Sequence, residues 1–170
     1  MKWFSNKIVW KVISVVMIMI FAFLIVVTVK EKAKYYENNL QMIQHSIDTQ
    51  EKVKTSIVVN ILDCIKEFDE EEYDALIKIL EADNIVSEVD TEEFKIVINA
   101  IVEQNPELAN SEEYKTLMDE LITTEEKIAY VESNFVNWLE IYDSYINHFP
   151  TKQILRLVKY SPVEYKDIKG

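Results

Sequence analysis

Tyr114, Leu121, Ile128, Phe135, Tyr142 and Phe149 recur at every seventh position without a slip, and few folds can use such a series. Three residues after each of the first five stand Leu117, Thr124, Val131, Trp138 and Tyr145, four of them apolar or aromatic. No Gly or Pro interrupts the run, and Pro150 closes it. The spacing predicts one long amphipathic helix with a narrow apolar seam, begun at Asn110 or Ser111 with Glu112 and Glu113 in its first turn. Either the rest of the chain covers that seam or another chain does, so a homo-oligomer built on it is a second solution.

Composition points the same way. The 170 residues hold one Gly and three Pro, which favours long helices over sheets and tight turns. The fold class is therefore all-α: an N-terminal transmembrane helix followed by an antiparallel, four-helix-bundle-like array of long helices. Charge is lopsided. Residues 1–29 hold Lys2, Lys7 and Lys11 and no acid, so residues 30–170 carry −15 against a total of −12. Such a surface repels nucleic acid. Cys64 is the only cysteine, which rules out an internal disulfide.

Val12 to Val29 is apolar apart from Ser14 and Thr28, just long enough to cross a bilayer core. Trp3 and Trp10 precede it, where indoles favour the interface, and Lys11 can snorkel outward. No small-residue cleavage site follows, which argues against a removed signal peptide. Lys2, Lys7 and Lys11 on one flank balance Lys30, Lys32 and Lys34 on the other. The acidic remainder tips the expectation toward an outward-facing module at the cell membrane.

Beyond the run, Tyr36, Leu40, Ile43, Ile47, Ile57 and Ile61 keep a three–four spacing, and Gln50 and Lys54 occupy the polar gap in it. Asp69 to Glu72 reads as a solvated helix start or turn. Tyr73, Leu76, Ile77 and Leu80 make a short amphipathic set ended by Asp83-Asn84. A further helix follows from Thr91, with Phe94, Ile96, Val97, Ile101 and Val102, and breaks at Asn105-Pro106. After Pro150, Ile154, Leu155, Leu157 and Val158 form an apolar turn around Arg156, and residues 161–170 read as a flexible tail.

Catalytic motifs are missing. His45 and His148 are isolated, and a single Gly cannot build a phosphate loop. Cys64 lies on an apolar stretch and reads as a small packing residue. Glu125 and Glu132 share a face beside the seam, but no Glu-x-x-His element accompanies them, so a di-metal bundle is disfavoured. The expected role of Glu125 is a bond across the bundle to Lys52, Lys54 or Gln50. Phe135, Trp138 and Tyr142 should stack on the membrane-proximal helix near Tyr36, Leu40 and Ile43, because an antiparallel bundle returns the long helix toward the bilayer.

Two ordered blocks resemble the LemA family. Ile47-Asp48-Thr49-Gln50-Glu51-Lys52, then Asn60-Ile61-Leu62 and Ile65-Lys66-Glu67-Phe68, is similar to I-D-x-Q-x-K-R-R, L-I-P-N-L and V-K-x-Y. Val102-Glu103, Pro106-Glu107-Leu108, Asp119-Glu120-Leu121, Glu125, Ile128-Ala129, Tyr142 and Phe149-Pro150 resemble V-E-x-x-P-x-L, D-E-L, T-E-N-x-I-A, Y-N and F-P. The chain departs at Val53-Lys54, where the pattern has two arginines, at Val59 in place of proline, at Glu126 in place of asparagine, and around Phe135-Val136. The resemblance implies a membrane-anchored helical bundle without established enzymatic activity or cofactor, and it names no partner.

The chain thus reads as a tail and anchor over 1–30, a bundle over 31–160 and a tail over 161–170. The expected role is a non-catalytic scaffold or interaction protein of the cell envelope, held in the bilayer through residues 12–29 and meeting an unknown protein partner. The rival is a signalling module whose continuous anchor helix transmits a change. An unbroken helix from Val12 past Ile47 favours the rival, and a hinge at Lys30–Lys34 counts against it.

Overall fold

The computed structural model describes residues 2–68, 70, 71, 73, 74, 91–163 and 165, and among these there is no strand. The fold is all-α. Helix α1 spans Lys2–Phe68 and is unbroken through the apolar run, Lys30–Lys34 and Val59. Helices α2 (Thr91–Gln104), α3 (Pro106–Asn110), α4 (Glu112–Asn147) and α5 (Thr151–Leu157) follow. Leu76, Ile77, Leu80 and the Asp83-Asn84 break lie outside the described residues, as do Asp69 and Glu72 of the acidic run.

Local chemistry sets the ends. Ser111 caps α4, its Oγ accepting from the Tyr114 backbone N–H at 3.3 Å, with Glu112 and Glu113 at the positive end of the dipole. Asn105 is pulled out of helical geometry (φ −123°, ψ 80°) by Pro106, which then opens α3. Helix α4 stops at Asn147, and Phe149 stands outside it, 79% exposed. The last position of the predicted seam is therefore not a seam position, because the helix ends two residues before it.

The chain divides into two compact units, a division within the expected 31–160 bundle that the sequence reading did not draw. One comprises Met1–Gln44 with Ser133–Gly170 and the other His45–Glu132. In the second unit Ile57, Ile61 and Ile65 of α1, Phe94, Ile98 and Ile101 of α2, Leu108 of α3 and Tyr114 and Leu121 of α4 share one apolar core. Cys64 is buried in it, and burial raises its thiol pKa, so it is a packing group with little thiolate. In the first unit α1 and α4 run antiparallel: Trp138 meets Tyr36, Tyr142 meets Glu37, and Tyr145 reaches back to Val29.

The stretch from Val12 to Val29 lies on α1 with its large apolar side chains exposed apart from half-buried Val26 and Val29, from Val12 at 57% to Phe23 at 67% and Val27 at 40%. It is long and apolar enough to cross a membrane.

Candidate functional site

The site grows from one residue on α1. Ala33, Glu37 and Leu40 form the buried face of the helix in the first unit, a spacing of four and then three that keeps them in line. The sequence reading placed Tyr36, Leu40 and Ile43 there. Leu40 is buried, whereas Tyr36 and Ile43 are half-buried, so the face is turned by about one residue and carries a carboxylate inward.

An enclosed carboxylate is tolerated only when its oxygens are matched by donors. Tyr142 of α4 donates its hydroxyl to Glu37 Oε1 at 2.6 Å, and the Val163 backbone N–H donates to the same oxygen at 3.2 Å. Tyr160 donates to Oε2 at 2.8 Å. Tyr165 donates to the backbone carbonyl of Glu37 at 3.1 Å. Its ring packs edge-on against Phe135 (6.1 Å) and Tyr142 (6.0 Å). One glutamate thereby joins α1, α4 and the segment after α5. Burial, then the hydrogen bond to Glu37 and its charge, hold the Tyr142 and Tyr160 hydroxyls well above the ordinary tyrosine range. Burial and then the Glu37 charge raise Tyr165 as well. These phenols stay protonated, as donors must. The arrangement clamps α1 to α4 and to the segment after α5.

The chain reaches this clamp through a specific turn. Helix α5 ends with Tyr160 N–H to Leu155 C=O at 2.9 Å and Lys159 N–H to Arg156 C=O at 3.2 Å, the paired bonds of a Schellman motif. Lys159 takes the left-handed position, φ 52°, and Tyr160 then points back at Glu37. Residues 161–163 and 165, expected to fray, are held here by Val163 and Tyr165. The tail segment 166–170 lies outside the described residues.

A second cluster sits where the apolar run ends. Tyr145 donates to the Val29 carbonyl at 3.2 Å. Tyr36 packs between Trp138 (6.0 Å) and Tyr145 (5.2 Å), Tyr35 meets Trp138 at 6.4 Å, and Lys32 Nζ lies over the Tyr36 and Tyr145 rings at 5.9 and 5.2 Å. Trp138 is half-buried here against Tyr35 and Tyr36, while Phe135 and Tyr142 are fully buried and turn to Tyr165.

The remaining predicted residues fall as follows. Tyr114, Leu121 and Ile128 are buried with Phe135 and Tyr142, so the seam holds for five of its positions. Glu125 pairs with Lys95 of α2 at 2.8 Å, in place of the expected Lys52, Lys54 or Gln50. Lys54 reaches Glu51 on its own helix at 3.1 Å. Gln50 lines an open groove with Thr123, Glu126, Lys127, Tyr130 and Val131. Among the described residues no group of three His, Cys, Asp or Glu could hold a metal.

A model of the LemA family matches residues 43–170, three quarters of the chain. The chain belongs to the LemA family. No curated protein and no solved structure matches it. Both resembling blocks of this LemA chain, on α1 from Ile47 and on α2 to α4 from Val102, lie inside the match. Tyr142, Tyr160, Val163 and Tyr165 lie inside it too, whereas the apolar run and Glu37 precede it. The family pattern has a proline where this LemA chain has Val59, and α1 passes through that position without a break.

Proposed function

We propose that this LemA-family protein is a membrane-anchored scaffold that presents acidic helices to a protein partner in the cell envelope, without catalysis of its own. The observation that carries the reading is Val12 to Val29, exposed along α1 and continuous with the helix that enters both packed units. Its two hydroxyls suit a lipid surround. Ser14 and Thr28 donate to the carbonyls of Trp10 and Leu24 four residues back, each at 2.9 Å, so neither needs water. The aromatic and lysine cluster of Lys32, Tyr36, Trp138 and Tyr145 stands just past the run, where such side chains favour an interface. The net charge of −15 on residues 30–170 suits a basic partner surface and an outward placement.

Full-length protein should stay with membranes through high-salt and carbonate washes, and a variant lacking residues 12–29 should not. Recovery of the full-length chain in the soluble fraction overturns the reading.

One observation favours a second reading, a signalling module. Helix α1 has no hinge at Lys30–Lys34, so a displacement of the anchor would be carried into the packed helices. Two glycines inserted after Lys30 separate the two. A scaffold keeps its partner in a crosslinking assay on intact membranes, and a transmitter loses its response while still bound.

A further inference from the structure

The corner between α4 and α5 carries features that the clamp does not use. Phe149 and Leu157 are 79% and 82% exposed, more than any large apolar side chain of the apolar run. Their position follows from the antiparallel pairing in the first unit. Along α4, Trp138 meets Tyr35 and Tyr36, Tyr142 meets Glu37, and Tyr145 meets Val29, so moving forward on α4 is moving back along α1 toward the run. Tyr145 is already level with the last residue of the run. Helix α4 runs two residues farther in that direction, to Asn147, and Phe149 follows in the turn that leads to α5. Leu157 lies on α5, between Phe149 and the point where Tyr160 is tied to Glu37.

Charge sets this corner apart. From Ser144 to Val163 there is no Asp or Glu, in a chain otherwise dense with them, and the same stretch holds Lys152, Arg156 and Lys159, Arg156 being the only arginine. Lys152 and Arg156 are exposed, and Thr151 and Leu155 are the buried residues of α5. Exposed apolar side chains and three cations from an acid-free stretch of sequence follow the end of α4 that Tyr145 brings level with the end of the membrane-length run.

We propose that the α4–α5 corner seats on the anionic headgroup interface of the bilayer that holds residues 12–29, with Phe149 and Leu157 entering the boundary and Lys152, Arg156 and Lys159 meeting lipid phosphates. The proposal rests on the membrane-anchor reading. It adds a second contact, which fixes the tilt and rotation of the first unit at the surface; a lone helix would leave both free.

The test uses the full chain with Cys64→Ala, carrying an environment-sensitive fluorophore on one introduced cysteine: Ile18→Cys in the run, Phe149→Cys or Leu157→Cys at the corner, or Met42→Cys, which is 71% exposed beyond Glu37. Each is reconstituted into phosphatidylcholine vesicles, with or without phosphatidylglycerol, containing lipids with quenchers at set depths. The Ile18 label should be quenched from the acyl region in both. The Phe149 and Leu157 labels should be blue-shifted and quenched at shallow depth, more strongly with phosphatidylglycerol, and Lys152→Glu with Arg156→Glu should abolish that increment. The Met42 label should stay unquenched. Quenching at Ile18 with none at either corner position overturns this inference and leaves the anchor standing. Absence of quenching at Ile18 overturns both. A corner label that shifts blue with protein concentration, untouched by lipid quenchers, places a second copy there and also overturns it. Using two corner positions guards against one substitution disturbing the turn.

Discussion

The Tyr142 hydroxyl lies 2.6 Å from the Glu37 carboxylate, joining α1 to α4 across 105 residues of sequence. Tyr142 is 1% exposed, so no water replaces the bond if the hydroxyl is removed. Tyr142→Phe should destabilise the first unit by about 2 kcal/mol, the usual range for a hydrogen bond to a charged acceptor. Tyr160→Phe, at a half-buried site, should cost less. Urea unfolding of residues 30–170 followed by Trp138 fluorescence, the sole tryptophan in that span, reads this directly. Equal midpoints for Tyr142→Phe and the parent chain would mean that Glu37 is not held as described.

Alkaline pH should open the same clamp. The Tyr142 and Tyr160 pKa values are raised in the fold, first by burial and then by Glu37. In the unfolded chain tyrosine ionises near pH 10, so above about pH 10 the unfolded state has lost protons that the folded state keeps. The stabilisation is complete below that pH and is lost as pH rises through the folded values. Tyrosinate absorbance should therefore appear late for these residues and together with helix loss. Tyr160→Phe should flatten the alkaline decline.

At Lys159 the fold accepts a local cost. A side chain in the left-handed region costs roughly 1–2 kcal/mol relative to glycine, and the two Schellman bonds hold it there. Lys159→Gly should add up to about 1 kcal/mol of stability once the added freedom of the unfolded chain is counted, and so raise the urea midpoint. Lys159→Val, which resists positive φ, should lower it.

Phe135 and Trp138 are neighbours on α4 with different exposure. Phe135 is 1% exposed and its ring meets Tyr165; Trp138 is half-buried against Tyr35 and Tyr36. Phe135→Ala should cost about 3–5 kcal/mol, the range for an emptied aromatic core site. Trp138→Ala should cost roughly half as much, because only part of its surface leaves water on folding. Helical circular dichroism in urea orders the two, and a larger loss at Trp138 would reverse the packing described.

The long helix, its five buried heptad positions, the cap region at Ser111 and the membrane-length run were all written in the sequence. Periodicity, a cap and continuous apolarity are local properties, and each acts within a few turns of the chain. The family was legible for a related reason, since its blocks keep their order and spacing. Phe149 failed as a seam residue because the heptad continued on paper while the helix itself ended at Asn147, and local geometry outranked the pattern.

Only the tertiary structure decided which face of α1 turns inward and what the C-terminal segment does. The sequence around Glu37 gives no reason to bury it, since a carboxylate belongs in water until donors are brought to it. Those donors come from Tyr142, Tyr160 and Val163, more than a hundred residues away. Hints were present in Ala33 and Leu40 flanking Glu37 at helical spacing, and in Tyr160 standing in an acid-free stretch, but neither says that Glu37 and Tyr160 meet. The same holds for Glu125, whose partner Lys95 was chosen by the packing of α2 beside α4. Apolar periodicity fixes what a helix can do alone. Satisfying a buried charge is a property of the assembled fold.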